Sequence, residues 1–114
     1  MVHRVKFVSY ELAMNYLMNN KIIFEKIKNS FLSSYKNHKV DFKNILKQKN
    51  FSETERYIHS IKGISLNLGA KVLYDSCVAA LEKIRKELWD QKSLKDFYIA
   101  LRKTYCELDS LKDN

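Results

Sequence analysis

The chain has 114 residues and is short enough to form a single domain, 1–114. Because 46% of the residues are hydrophobic and 12% are aromatic, the composition excludes an intrinsically disordered chain and predicts a real core. The 21 basic residues outnumber the 13 acidic ones, and the formal charge of +8 favours an anionic partner: nucleic acid, an acidic membrane surface or an acidic protein. Because the basic residues are scattered along the chain, a lysine-rich solvated surface remains an alternative interpretation.

The absence of proline and the presence of only two glycines favour helices with short connections over a sheet. Residues 8–18 predict a first short helix, which ends at the Asn19–Asn20 pair. Residues 21–37 predict a second helix, because apolar side chains recur there at spacings of three and four. Residues 40–48 predict a short third helix. The apolar stripe of the second helix consists of Phe24, Ile27, Phe31 and Tyr35.

Two signals locate the next helix and its end. Glu55 stands three residues after Ser52, which is a capping-box pattern and predicts a helix start at Ser52. That helix should continue to about Leu68. Gly69 follows at a position suited to a left-handed C-terminal cap.

The last two helices are predicted over residues 70–89 and 94–111, and the second follows a weaker capping pattern at 93–96. Long amphipathic helices joined by short loops predict an all-α fold, an antiparallel four-helix bundle with one or two short flanking helices. The stripe of the helix over 70–89 consists of Leu73, Cys77, Leu81, Ile84 and Leu88.

The sequence shows neither a membrane span nor a secretory signal. No apolar run approaches the roughly 20 residues of a span, and the N-terminus lacks an apolar signal region with a cleavage site. Cys77 and Cys106 lie outside any CxxC motif and are expected to be reduced thiols. His3 and His38 lack metal-ligand spacing and are expected at the surface. We therefore expect a cytoplasmic protein, or a piece of a larger one, that holds no metal.

The helix predicted over 52–68 contains the main candidate for a reactive side chain, His59. On a wheel of about 100° per residue, its apolar side chains cluster nearly opposite His59, so the imidazole should face solvent. An idle surface histidine remains an alternative interpretation. The predicted buried face consists of Tyr57, Ile61, Ile64 and Leu68.

Four residues share the predicted solvent face with His59: Arg56, Lys62, Gly63 and Leu66. An exposed imidazole can act as a nucleophile and carry a phosphoryl group, whose negative charge nearby cations stabilise. Phosphoryl transfer requires in-line approach of a donor. The mid-helix glycine would leave space for that approach, and Leu66 would offer an apolar docking contact.

The motif HSIKG at 59–63, followed by LGA at 68–70, resembles the histidine-containing phosphotransfer (HPt) domain family. The family pattern is H-x-L-K-G, then a spaced glycine and a helix with an apolar stripe, and here Ile61 replaces the leucine. The resemblance extends over the whole chain in length and helix order. It also includes Leu73, Cys77, Leu81 and Glu82.

The resemblance implies an up-and-down four-helix bundle in which His59 accepts a phosphoryl group from the aspartate of one receiver domain and passes it to another. The domain itself would have no kinase activity, and the receiver would supply Mg²⁺. The partners would be response-regulator receiver domains and a hybrid sensor histidine kinase. The chain would be a monomer, and nucleic acid is not an expected partner. The implied roles are phosphoryl stabilisation by Lys62, Arg56 and Arg85, receiver docking at Gly63, Leu66 and Glu55, and a structural turn at Gly69.

One alternative of another class remains open. A basic helical module could bind an acidic protein or nucleic acid without phosphorylation, which would explain the charge of +8 without a role for His59. Replacement of His59 discriminates between the two hypotheses, since it should abolish only phosphotransfer.

Overall fold

The computed structural model describes residues 6–111, and within this range the chain is helical and contains no strand. The predicted all-α class is therefore confirmed. The helices are α1 Tyr10–Tyr16, α2 Lys21–Ser34, α3 His38–Gln48, α4 Phe51–Ser65, α5 Lys71–Arg85 and α6 Gln91–Ser110, with a 3₁₀ turn Leu66–Leu68 between α4 and α5.

Two helices begin earlier than the sequence patterns predicted. The N-cap of α4 is Asn50, whose Oδ1 accepts a hydrogen bond from the Glu53 backbone N–H at 3.0 Å, so the predicted start at Ser52 is wrong. Likewise Asp90 caps α6 by accepting from the Ser93 N–H at 2.9 Å. Both helices thus use the short Asn or Asp side chain just before the predicted serine, which reaches the third amide of the helix.

The predicted helix over 70–89 is shorter in the structure. Helix α5 ends at Arg85, and Glu87 adopts a left-handed conformation with φ 55°. Leu88 consequently lies beyond the helix and is 49% exposed, so it does not continue the buried stripe. The rest of that stripe is buried as predicted: Leu73, Cys77, Leu81 and Ile84.

The core receives apolar side chains from all six helices, but the buried face of α4 is rotated from the predicted one. Ile58, which the wheel placed off the stripe, is completely buried, whereas Tyr57 and Ile64 are only half-buried. The observed buried face lies about 60° from the predicted centre on the same wheel. The largest fully buried side chains are Phe24, Phe31, Phe42, Ile58, Ile61, Leu68, Leu73, Leu81, Ile84, Phe97, Leu101 and Leu108.

His38 is part of the interior, so the prediction of a surface histidine is wrong. Its side chain is 6% exposed, and its ring centroid lies 4.9 Å from that of Tyr105. The Nδ1 atom lies 2.7 Å from the Tyr35 carbonyl oxygen, and because a carbonyl only accepts, Nδ1 carries the hydrogen. His3 lies outside the described residues. Cys77 and Cys106 are both free thiols, as predicted.

Gly69 has the left-handed conformation predicted for it, with φ 71°, and a second constraint as well. The Ser9 N–H donates to the Gly69 carbonyl at 2.8 Å, so the segment before α1 passes directly over the glycine. A Cβ at Gly69 would lie 1.8 Å from the Ser9 carbonyl oxygen. On the other side of this segment, the Glu107 carboxylate accepts from the N–H groups of Phe7 and Val8 at 2.8 and 3.0 Å.

Helix α5 packs against α4 on one side and α6 on the other. Glu55 near the start of α4 pairs with Arg85 at the end of α5, so these two helices are antiparallel. This arrangement leaves one face of α4 open, and that face positions the candidate site. Within residues 6–111, no helix combines the length and apolarity that crossing a membrane requires.

Candidate functional site

His59 lies on the exposed face of α4, as the wheel predicted. Among residues 6–111, no side chain or backbone group forms a hydrogen bond with its imidazole ring, and Leu81 on the neighbouring helix α5 is buried in the core. The two ring nitrogens are therefore presented to solvent on a rigid helix, where an external reactant can approach them.

Gly63 lies one turn after His59. Neither of the usual reasons for a glycine, a positive φ or the close packing of a neighbouring helix, applies to it. Its backbone is helical, and the only glycine with positive φ in the described chain is Gly69. A Cβ placed at Gly63 would meet no atom within 4 Å, so no neighbouring helix packs closely there. The exposed position excludes the packing explanation that a mid-helix glycine otherwise suggests, and it leaves open space beside the imidazole.

The three cations predicted for the site differ in their pairing. Arg56 Nη1 lies 3.2 Å from Glu53 Oε1, and Arg85 Nε lies 3.0 Å from Glu55 Oε2. No carboxylate in the described part of the chain pairs with Lys62, whose Nζ instead lies 5.9 Å from the centroid of the Tyr74 ring on α5. Lys62 is therefore the cation beside His59 whose charge is not already compensated by an acidic partner.

Glu55 and Arg85, for which the family resemblance implied docking and phosphoryl stabilisation respectively, contact one another. Their pair crosses from α4 to α5, and both side chains stay substantially exposed, at 40% and 49%. Because Glu55 is four residues before His59, it lies on the same side of α4. The pair thus forms one border of the open face, where the start of α4 meets the end of α5.

Leu66 does not lie where the helical wheel placed it. The α-helix ends at Ser65, and Leu66 begins the 3₁₀ turn, so the 100° rotation per residue no longer applies. The side chain is half-buried rather than turned fully to water, and the turn contacts α1. The prediction of a fully solvent-facing leucine beneath His59 is therefore wrong.

A groove of about 420 Å³ separates α2 from α4 on the side where Ser60 and Ile64 lie. Ser60 and Gly63 are three residues apart on α4 and are surface neighbours, so the groove begins beside the glycine. The wall that α2 contributes was not among the sequence-based predictions. Its signal was a small and polar series at four-residue spacing: Lys26, Ser30 and Ser34.

The interior behind the site contains one buried thiol, Cys77. Burial raises the pKa of the Cys77 thiol to about 12, a shift that the hydrogen bond with Ser65 and the charge of Lys62 only partly oppose. Cys77 is therefore a protonated core thiol and no nucleophile at neutral pH. Within residues 6–111, no three side chains of the His, Cys, Asp and Glu types are grouped to hold a metal ion.

No family model matches the chain, and neither a curated protein nor a solved structure matches it significantly. The geometry of α4 and its neighbours is thus the basis on which a function can be inferred. It consists of an exposed imidazole, an open position one turn later and an uncompensated cation on the same helix.

Proposed function

We propose that the protein is a histidine phosphocarrier that passes a phosphoryl group between receiver-domain aspartates through phospho-His59, as the resemblance to HPt domains implies. In this proposal α2, α4, α5 and α6 form the body of an up-and-down four-helix bundle, and α1 and α3 flank it. The chain would act as a cytoplasmic monomer between a hybrid sensor histidine kinase and response regulators.

The observation that carries the proposal is the open space at Gly63. A glycine inside an exposed helix costs about 1 kcal/mol relative to alanine. Neither φ nor packing accounts for it, since its backbone is helical and no atom lies within 4 Å of a Cβ there. A partner that must bring its own active site against the adjacent imidazole does account for it, because a side chain one turn away would obstruct that approach.

The reaction would require little chemistry from this chain. A ring nitrogen of His59, expected to be Nε2 from the family resemblance, would attack phosphorus with its lone pair. A nitrogen–phosphorus bond forms as the bond from phosphorus to the aspartyl oxygen breaks, and the receiver's carboxylate leaves with that electron pair. Transfer to the next receiver reverses these steps. The exposed helix would contribute mainly position and charge, and the receiver would supply Mg²⁺.

The neighbouring residues would then divide into three roles. Lys62 would stabilise the phosphoryl charge, because it is half-buried beside the site and has no acidic partner among the described residues. Arg56 and Arg85 would contribute less, since each already contacts a carboxylate. Glu55, with the half-buried Leu66, would form part of the receiver contact.

Transfer from a panel of radiolabelled, phosphorylated receiver domains tests the proposal. Wild type should acquire acid-labile, alkali-stable label, and His59→Gln should acquire none. Arg102→Gln places the same side chain on the exposed surface of α6 and should be labelled like wild type. His38→Gln is unsuitable as a control, because His38 is buried.

The alternative function, polyanion or acidic-protein binding without phosphorylation, predicts a different result. Neither wild type nor His59→Gln would then be labelled by receivers that discharge readily to other carriers. Binding of an acidic probe would also be the same for both proteins and would weaken steeply with salt.

A further inference from the structure

A second groove lies between α3 and α6 and shares no residue with the candidate site. It has a volume of about 650 Å³. Helix α3 lines it with residues 39, 42, 43, 46 and 47, and α6 lines it with residues 91, 94, 95 and 98. Both sets follow the three- and four-residue spacing of a single helix face. The groove is therefore bounded by one face of α3 and one face of α6.

The rims of this groove are positively charged. Lys39, Lys43 and Lys47 follow one another at four-residue intervals on α3, and Lys95 stands on α6. The row on α3 extends over about 12 Å, which is two turns. No acidic side chain in the described chain forms an ion pair with any of the four, although other lysines, such as Lys92 with Asp96, are paired. The rims thus present four uncompensated charges to a ligand.

The floor of the groove is apolar. Leu46, Trp89 and Tyr98 are half-buried there and keep part of their apolar surface in water, while Leu94 is almost fully buried beneath them. Trp89 is held edge-on to Phe51, with ring centroids 5.6 Å apart. Tryptophan and tyrosine are enriched among the residues that contribute most to protein–protein binding.

We infer that this groove binds an acidic amphipathic helix of a partner protein, with the apolar ridge of that helix on Leu46, Trp89 and Tyr98 and its flanking carboxylates against the lysine rims. Helix-in-groove recognition uses an apolar channel that receives the apolar face of the ligand helix. Here the channel is also bounded by lysines, whose charge is complementary to an acidic helix. The length of the lysine row matches two turns of such a helix.

The geometry is less suitable for single-stranded nucleic acid, which stacks its bases on exposed aromatic faces. The Tyr98 ring packs parallel to the buried Phe42 ring, with an interplanar angle of 4° and centroids 6.1 Å apart, so part of its surface already contacts the core. The inference is independent of phosphotransfer, because no residue of this groove is used by the His59 site.

Trp89 provides the test, because it is the only tryptophan of the chain and lies in the groove wall. The probe is a synthetic peptide of about four helical turns without aromatic residues, with leucines on one face and glutamates on both flanks. Titration of the intact protein should shift the Trp89 emission to shorter wavelength. A scrambled peptide of identical composition, which has no apolar face, should produce no shift.

Three variants locate the binding site. Lys43→Glu should weaken peptide binding about five-fold or more, because it replaces an attraction to a carboxylate by a repulsion. Lys21→Glu changes the net charge equally, but on the exposed start of α2, and should leave the affinity unchanged. Leu46→Gln removes apolar floor surface without changing the charge and should also weaken binding, with circular dichroism used to verify the fold.

The inference is overturned if the scrambled peptide binds as well as the ordered one, or if Lys21→Glu weakens binding as much as Lys43→Glu. It is also overturned if oleate or an oligothymidylate shifts the Trp89 emission while the acidic peptide does not. The groove would then be a fatty-acid or single-strand site. These outcomes do not depend on His59, so the phosphocarrier proposal would remain separately testable.

Discussion

Arg85 and Glu55 form an ion pair between α5 and α4, with Nε and Oε2 3.0 Å apart. The pair joins the end of one helix to the start of the other, beside the open face that carries His59. The resemblance to HPt domains implies separate roles for the two residues, docking for Glu55 and phosphoryl stabilisation for Arg85. Their contact means that a change in either one also alters the environment of the other.

We predict a small energetic contribution from this pair. Because both side chains are 40–49% exposed, a double-mutant cycle of Glu55→Gln and Arg85→Gln should give a coupling free energy of about 0.2–1 kcal/mol in urea unfolding. A coupling well above this range would show that the pair is far more shielded from water than its exposure indicates.

Gly63→Ala should stabilise the protein. The new methyl group meets no atom within 4 Å, and alanine is favoured over glycine in a helix by about 1 kcal/mol. Thermal unfolding should therefore shift to higher temperature. Transfer to His59 should nevertheless slow with alanine and slow further with Gly63→Gln, because a side chain at this position would obstruct the receiver. Equal transfer rates for all three proteins would remove the proposed role of the open space.

Gly69→Ala should have the opposite effect on stability. Its φ of 71° disfavours any other residue, and the added Cβ would lie 1.8 Å from the Ser9 carbonyl oxygen, which is a backbone atom and cannot rotate away. We expect a loss of about 2–4 kcal/mol in the free energy of unfolding, measured in urea. Gly63→Ala is the matched control. A loss below that caused by ordinary surface substitutions would contradict the close approach of Ser9.

Lys62→Gln should slow phosphotransfer more than Arg56→Gln. Lys62 has no carboxylate partner in the described chain, whereas Arg56 lies 3.2 Å from Glu53. An uncompensated cation stabilises an incoming phosphoryl group more strongly than a paired one. Single-turnover transfer from a labelled receiver measures both variants, and a larger effect of Arg56→Gln would reverse this assignment.

Stability should decline in alkali because of Cys77. Burial raises the pKa of its thiol from 9.0 to about 12, so the folded state retains a proton that the unfolded chain releases near pH 9. The stabilisation is complete below about pH 9 and is lost progressively as the pH rises towards about 12. Burial also raises the pKa of Tyr35 and Tyr57, which act in the same direction at higher pH.

Urea unfolding at several pH values above neutrality measures this decline. Cys77→Ala should show a shallower fall between about pH 9 and 11 than wild type. Cys106→Ala, which removes an exposed thiol instead of a buried one, is the control. If the free energy of unfolding falls equally with pH in Cys77→Ala and in wild type, the buried thiol is not the cause of the loss of stability in alkali.

Phosphotransfer should also slow as salt rises. The net charge of +8 should steer the protein towards an acidic receiver, and salt screens this attraction. The second-order rate constant of transfer, measured from low to high ionic strength, should therefore fall. A constant rate would exclude charge steering as part of the encounter.

Periodicity in the sequence was sufficient to predict the helical class and the exposure of His59. The position of a glycine after the helix was sufficient to predict the left-handed cap at Gly69. These features depend on spacing within one helix or on the conformational preference of one residue, so local sequence contains the information. The exact caps were less predictable. Asn50 and Ser52 are both good N-cap residues, and the choice between them depends on where the preceding chain turns.

Other features were decided only by the tertiary arrangement. His38 is buried because α3 turns it towards Tyr105 on α6, a partner 67 positions away in the chain. The rotation of α4 that buries Ile58 is set by the neighbouring helices that it must contact. The close approach of Ser9 to Gly69 likewise depends on two segments that are distant in the chain. The same holds for the basic groove, whose walls come from α3 and α6. A sequence pattern specifies which face of a helix is apolar, but only packing determines what covers that face and what remains open.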